Sequence, residues 1–368
     1  MNKPSVGFLG IGIGLPAHVR TNDHWGDRLA ARREANKRDD ILAIQHGTDG
    51  RSVEVPAATA AAMAARGDDP FGGSKLRHVI DAAEMASDLE ARAAKEAMAD
   101  AGIAPEAIDL VLVASLPPDR LVPSNAPAVQ DKCGLVNASA WSLDVGCASL
   151  QPQLLTAAAL IATGAAKHVL VVQSQVGSRT VDQESHHAPG FGDAAAAAVV
   201  GPVPAGYGLL GSHLRTDGSL RDGVVLAPSR NGQPLREWWE LSDGPPQLAT
   251  FDAVAGKRAG IQGPEFCRLT CREALAAAGV RLDEISLFLC NQSVSWFPDA
   301  CRRALELPAD RLFETYEEVA NIGAAAILYN LYRARELGRV KRGDTLLLYS
   351  PGAGFTRAAA VVRWWGEP

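Results

Sequence analysis

Two kinds of segment alternate along the chain: alanine-rich stretches of helical character and short runs that are apolar at every position. Residues 86–101 predict a helix with Ser87 or Asp88 as its cap. Gly102 stops it, and residues 109–115 follow as a buried strand. Residues 150–161 are rich in helix formers and are broken only by Pro152, in the first turn, where proline is tolerated. Residues 167–174 predict another buried strand. A polar loop over 175–192 leads into the alanine and valine run of 193–200. Strands apolar on both faces predict mostly parallel sheets covered by helices, an α/β architecture. Near the start, Gly10-x-Gly12 is followed by Leu15-Pro16 where a third glycine and a helix would complete a dinucleotide fingerprint, so that reading is rejected. The glycines instead predict close packing of a central strand.

The second half of the chain repeats the first. Residues 278–292 align without a gap on 101–115, and the preceding helices match as well. A helix opened by Cys147 reaches Gly164 in as many steps as one opened by Asn321 takes to reach Gly338. Each then runs into an apolar strand (169–172, 345–348) and an alanine/valine strand (194–200, 358–362). This predicts a duplicated α/β unit, divided into 1–204 and 205–368. Residues 21–80 mix charge, glycine and proline, and form an excursion that is either a cap over a site or a surface decoration.

A length of 368 residues suits two cores better than one, and 47% hydrophobic with 21% charged residues is ordinary for a globular chain. The net charge of −6 and the lack of a Lys/Arg cluster argue against a nucleic-acid partner. No apolar run is long enough to span a membrane, and the first residues lack a signal-peptide pattern. Six scattered cysteines point to reduced thiols and a cytoplasmic setting.

Cys147 stands out among them. It follows Asp144-Val-Gly at a strand-to-helix junction, where exposed N–H groups and the helix dipole favour a thiolate and could hold an oxyanion. The alternative is a buried cysteine acting as a small hydrophobe. Asn291 falls at the end of a buried strand, and sites in such sheets form where strand ends face helix starts. Cys267 and Cys271 share a helix face without a second ligand pair, which reads as core packing and not zinc; no metal site is expected. Trp238-Trp239 either stacks on a ring or anchors a loop. His186 and His187 are either a catalytic replacement or a solvated surface pair. His168 reads as structural, and His18, His24, His46 and His78 reach a site only through the excursion.

With the duplication in place, Asp144-Val-Gly-Cys147, Val122-Pro-Ser124, Phe191-Gly-Asp193, Asn321-Ile-Gly323 and Gly352-Ala-Gly-Phe-Thr356 carry a resemblance. The chain resembles the thiolase superfamily and, within it, the ketoacyl-synthase III branch of initiating condensing enzymes, over nearly its whole length apart from 21–80. The resemblance implies thiolase-like units layered α-β-α-β-α. It also implies acyl transfer from acyl-coenzyme A or an acyl carrier protein through a thioester on Cys147, with no bound cofactor. The backbone N–H groups of Cys147 and Ala353 would form the oxyanion hole. A homodimer would continue a sheet across its axis, through the strand near 169–172. Asn321 matches the family's asparagine, but Asn291 stands where the family carries a histidine. Asparagine can donate a hydrogen bond to a thioester carbonyl and cannot move a proton at neutral pH. Trp296 stands where relatives often carry an arginine, and Val122 where an aromatic plugs the partner's acyl pocket. Two functions follow: an acyltransferase or condensing enzyme of specialised metabolism, or a catalytically reduced subunit that supports an active homologue.

Overall fold

The computed structural model describes residues 4–26, 54–67, 69, 71–185 and 187–366. The first half runs β1 (Ser5–Gly14), β2 (His18–Thr21), α1 (Ala57–Arg66), β3 (Leu76–Val79), α2 (Ala86–Ala101), β4 (Leu110–Leu116), α3 (Ala126–Lys132), β5 (Ser139–Ser142), α4 (Leu150–Ala162), β6 (Val169–Val176) and β7 (Asp193–Val203). The second runs β8 (Gly208–Thr216), β9 (Val225–Arg230), β10 (Gln233–Pro234), β11 (Gly244–Ala249), α5 (Ala253–Ile261), α6 (Gly263–Ala278), β12 (Leu287–Cys290), α7 (Phe297–Ala304), β13 (Leu312–Phe313), α8 (Tyr316–Val319), α9 (Ala326–Glu336), β14 (Thr345–Gly352) and β15 (Thr356–Arg363).

Two five-stranded sheets dominate, in the orders β1-β7-β6-β4-β5 and β8-β15-β14-β12-β13. Taken strand by strand the orders correspond, and so do the pairings: two antiparallel followed by two parallel. The duplicated α/β fold is as the sequence predicts, but the sheets are half parallel and not mostly so. No crossover helix follows β6 or β14, so the chain turns back and the next strand lies antiparallel. The dimer strand also needs correction. Residues 169–172 lie in β6, which is hydrogen-bonded to β4 on one side and β7 on the other. A strand with both edges filled cannot extend a sheet into a second subunit; the edges of this sheet belong to β1 and β5.

Side-chain alternation builds the layers. Leu287 and Leu289 of β12, Leu346 and Leu348 of β14, and Leu110, Leu112, Val169 and Val171 of the first sheet all face a central core that holds α4 and α9. Their neighbours on the opposite faces pack outward: Val111, Val113, Leu170 and Val172 against α2 and α3, and Phe288, Cys290, Leu347 and Tyr349 against α6 and α7. The result is the α-β-α-β-α order. The equivalent outer helices α2 and α6 both end at a glycine in the left-handed region, Gly102 at φ 64° and Gly279 at φ 65°.

The early glycines do permit close packing, though β1 is an edge strand. A Cβ at Gly10 would lie 2.3 Å from Ala101 N, and one at Gly12 2.2 Å from Ala93 O, so α2 rests directly on the β1 backbone. Within the excursion, residues 27–53 (including His46) lie outside the described residues. Its ends close as a β2–β3 antiparallel pair, and α1 packs on α7. Thr59 Oγ1 donates to Ile261 O at 3.0 Å, tying the excursion to the second half. Arg77 is fully buried there, and donates to Pro189 O, Arg20 O, Asn22 Oδ1, Lys75 O and Ser74 Oγ.

Candidate active site

A short polar knot fixes Cys147. Gly146 N donates to Asp144 Oδ1 at 2.7 Å, Val145 N donates to Ser149 Oγ at 3.0 Å, and Ser149 Oγ donates to Gly146 O at 2.6 Å. Gly146 has φ +64°, a left-handed conformation that glycine adopts without penalty. The thiol differs from expectation. Burial pushes it up to about 11, with the Asp144 carboxylate adding in the same direction and only the residue's own backbone N–H opposing. α4 begins at Leu150, so its exposed N–H groups start three residues past the sulfur's residue. Burial thus favours the thiol over the thiolate at this half-buried side chain.

The glycine-rich turn after β14 abuts this knot. A Cβ at Gly352 would sit 2.2 Å from Val145 O and 3.0 Å from Ala148 N, and one at Gly146 3.0 Å from Ala353 N. Only backbone against backbone fits here, and the contact brings the Ala353 amide beside the segment carrying Cys147.

Gly323 joins the two asparagines. Asn291 Nδ2 donates to Gly323 O at 2.7 Å, while Gly323 N donates to Asn321 Oδ1 at 2.9 Å. Gly323 has φ +55°, and a Cβ there would fall 1.9 Å from Gln175 Oε1. The Asn321 backbone is pinned as well: its N–H donates to Gly190 O at 3.0 Å, and its carbonyl accepts from Gly192 N at 3.1 Å and Gln175 Nε2 at 3.0 Å. With its oxygen engaged by Gly323, the Asn321 carboxamide has its NH2 group left to offer. Asn291 is the reverse. One N–H of its NH2 is given to Gly323 O, and its Oδ1 has no partner among the described residues although the residue is 0% exposed. The carboxamide keeps a second N–H, the group that the expected donor role calls for.

Ser350 is in the same state. Asn291 N donates to Tyr349 O at 2.9 Å, which sets Asn291 beside Ser350 across the parallel β12–β14 pair. By alternation from Leu289 and Leu348, both side chains face the central layer. Ser350 Oγ is also buried without a partner. Leaving each of these oxygens unpaired costs about 1–3 kcal/mol. From Ser350 it is two residues, roughly 7 Å of strand, to the Gly352 contact with Val145. The helices of the central layer begin just past Cys147 and Asn321, so Cys147, Asn291, Asn321 and Ala353 gather at one end of that layer.

Other predicted residues fall elsewhere. Val122 is 86% exposed and lies on the chain's own surface. Trp296 caps α7 and packs edge-on against Phe297, ring centres 6.0 Å apart, at the rim of the outer core. His187 is exposed, and His186 lies outside the described residues. His168 is buried, with Nδ1 3.0 Å from Ala107 O, as a structural histidine would be. Trp238 and Trp239 are 68% and 66% exposed. A surface cleft bounded by Asp100, Arg335 and Trp364 lies at the C-terminal ends of α2 and α9, the opposite end of α9 from Asn321.

Gln175, Ser350 and Glu90 were not picked out by sequence reasoning. Glu90 is fully buried, accepts from Ser115 Oγ, Ser174 Oγ and Asn125 Nδ2, and burial pushes its carboxyl up to about 7. The Cys267 and Cys271 thiols, 3.7 Å apart, share the outer core with Cys290 and Cys301. Among the described residues no group of three or more His, Cys, Asp or Glu is arranged to hold a metal ion, and no helix is long and apolar enough to cross a membrane.

Comparison with known proteins matches this arrangement. Residues 142–218 match the family described as 3-oxoacyl-[acyl-carrier-protein (ACP)] synthase III, and residues 275–364 match its C-terminal part. The chain is 30% identical over 293 residues to the beta-ketoacyl-[acyl-carrier-protein] synthase III of Caldanaerobacter subterraneus subsp. tengcongensis, covering 79% of this chain and 87% of that one. The crystal structure of 3-oxoacyl-[acyl-carrier-protein] synthase III from Aquifex aeolicus superposes with a TM-score of 0.76 at 25% identity, over 98% of this chain and 100% of the other. The priming beta-ketosynthase of the R1128 polyketide biosynthetic pathway shares the fold, with a TM-score of 0.81 at 23% identity over 100% of this chain and 98% of the other.

Proposed function

Because the chain belongs to the 3-oxoacyl-[acyl-carrier-protein] synthase III family, we propose that it moves an acyl group from a coenzyme A or carrier-protein thioester through Cys147 to a nucleophilic acceptor, in specialised metabolism. The observation that carries this is the backbone contact between Gly352-Ala353 and Val145-Gly146, which sets an amide donor beside the nucleophile. Cys147 sulfur attacks the thioester carbonyl. The thiol first gives its proton to solvent, the oxyanion is held by the N–H groups of Cys147 and Ala353, and the carbon–sulfur bond to the donor breaks to release a thiolate that is protonated from solvent. The Asn321 carboxamide polarises the carbonyl of the bound acyl group. The substrate thioester supplies all the activation the step needs, so no cofactor enters the reading.

A homodimer through the outer edge of β5 extends the same proposal, in place of the strand at 169–172. Trp141 on that strand is 47% exposed, and Leu121 and Val122, in the loop between β4 and α3, are 75% and 86% exposed. Apolar side chains in those positions suit contact with a partner's pocket. The test of function is intact-protein mass after incubation with a panel of acyl-coenzyme A thioesters. One acyl mass is expected on the native protein and none on Cys147→Ala. No added mass on the native chain would favour the second reading, a supporting subunit, for which the raised Cys147 thiol speaks.

A further inference from the structure

Resting on the acyl-transfer reading above, we infer that Gln175 is a positioning residue for that reaction: from the half that carries Cys147, it holds the Asn321 carboxamide in its working direction. Asn321 is fastened at three backbone points. Its N–H donates to Gly190 O at 3.0 Å, and its carbonyl accepts from Gly192 N at 3.1 Å and from Gln175 Nε2 at 3.0 Å. Gln175 supplies the side chain among these fasteners. The other two are main chain, from the segment that bridges to Asn321 at Phe191. The strand under Gln175 is itself held on both edges, by Leu116 of β4 and Ala194 of β7. Alternation from Val169 and Val171 turns Gln173 and Gln175 towards the central layer, and turns Ser174 away from it, to Glu90. Gln175 is 4% exposed, so its hydrogen bond to Asn321 is made out of water.

From that bond the contacts run on to the working end of Asn321. With its N–H and its carbonyl both held, the backbone of the residue is set. Its Oδ1 then accepts from Gly323 N at 2.9 Å, which leaves the NH2 group one direction to point. Gln175 acts at this second point as well. A Cβ on Gly323 would fall 1.9 Å from Gln175 Oε1 and 2.7 Å from its Cδ, so the Gln175 carboxamide lies directly on the turn that orients Asn321. One side chain thus fixes both the backbone of Asn321 and the turn that receives its Oδ1. β6 belongs to the first half and Asn321 to the second, so Gln175 ties the amide of one copy to the scaffold of the nucleophile in the other. A donor displaced by about 1 Å costs on the order of 10² in rate. A residue that only fills space would leave the rate where it was.

The test times single-turnover loading of Cys147 from acetyl-coenzyme A at pH 8 by intact mass, for native protein, Gln175→Met, Asn321→Ala and the double variant. The rate of Cys147 alkylation by iodoacetamide is measured alongside. Gln175→Met keeps the length of the side chain and loses both amide atoms. It should load about 10–100-fold more slowly than native, with alkylation within twofold, because the thiol is untouched. In the Asn321→Ala background the same substitution should slow loading less than threefold, since a residue that acts through Asn321 then has nothing to act through. Gln175→Glu keeps the shape as well, and decides alone if the methionine variant does not fold. Its loading relative to native should be highest at pH 5.5, where a protonated carboxyl donates to Asn321 O as the amide does, and should fall towards that of Gln175→Met as the carboxyl ionises. The inference is overturned if Gln175→Met loads within threefold of native, if its penalty persists undiminished in the Asn321→Ala background, or if Gln175→Glu matches Gln175→Met at every pH. Native protein that takes up no acyl group overturns the acyl-transfer reading itself, a result seen before any variant is made.

Discussion

The two halves of this molecule share strand order, pairing and helix caps, yet corresponding positions hold opposite chemistry. The helix start that carries Cys147 in the first half carries Asn321 in the second. The position held by Ala114, within β4, in the first half is held by Asn291, just past β12, in the second. Behind the sheets the contrast repeats. At the α2 position of Glu90, a buried carboxyl satisfied by Ser115, Ser174 and Asn125, α6 places Cys267 in a sulfur-rich outer core. The lesson is that the duplicated scaffold supplies two equivalent helix starts facing one layer, and function resides where the copies have diverged. In the proposed reaction one copy provides the nucleophile, and the other provides amides that hold and orient without moving protons.

The sharpest way to break that division of labour is at the second copy's helix start. Asn321→Ala should slow acyl transfer by about 10²–10³, the usual loss for one oxyanion-type donor, measured as the single-turnover rate of acyl loading. A rate within threefold of native would remove Asn321 from the chemistry. Next comes the joint between the asparagines. Gly323→Ala forces a Cβ into Gln175 Oε1 at a left-handed φ, so it should lower unfolding stability by about 2–4 kcal/mol in urea titrations. Unchanged stability would mean that the turn is free to relax and does not pin the pair.

A smaller effect should come from the first copy's outer core. The Glu90 carboxyl lies at about 7 in the folded state, above its value in an unfolded chain, so the folded protein holds the proton more tightly. The stability this contributes is present below the unfolded value near ~4.3 and is lost as pH rises towards 7, by up to about 3 kcal/mol. Glu90→Gln should flatten that slope between pH 5 and 7.5. An equally steep slope in the variant would assign the pH dependence to other groups.

Much of this was legible in the sequence. Matching helix-strand strings, the glycines at 102 and 279, and the Asp144-Val-Gly-Cys147 and Asn321-Ile-Gly323 motifs mark the repeat and two of its key positions, because caps and tight turns are written locally. What was not legible depends on long-range neighbours. An apolar run shows that residues 169–172 are buried but not that both strand edges are filled. The orientation of the Asn291 amide is set by Gly323, 32 positions away. Ser350 and Gln175 look ordinary until β12, β14 and β6 bring them to the central layer. The Cys147 thiol is raised first by burial, which the junction motif does not reveal, and then by the Asp144 carboxylate, while the helix starts only at Leu150.

The central claim is that no proton-transferring group among the described residues serves Cys147, and the pH dependence of its loading by an acyl-coenzyme A tests that most directly. A thiol near 11 predicts a single-turnover rate that climbs about tenfold per pH unit from 6 to 9 without levelling, because only the thiolate attacks. A plateau reached near pH 7, the signature of a histidine-like base, would contradict it.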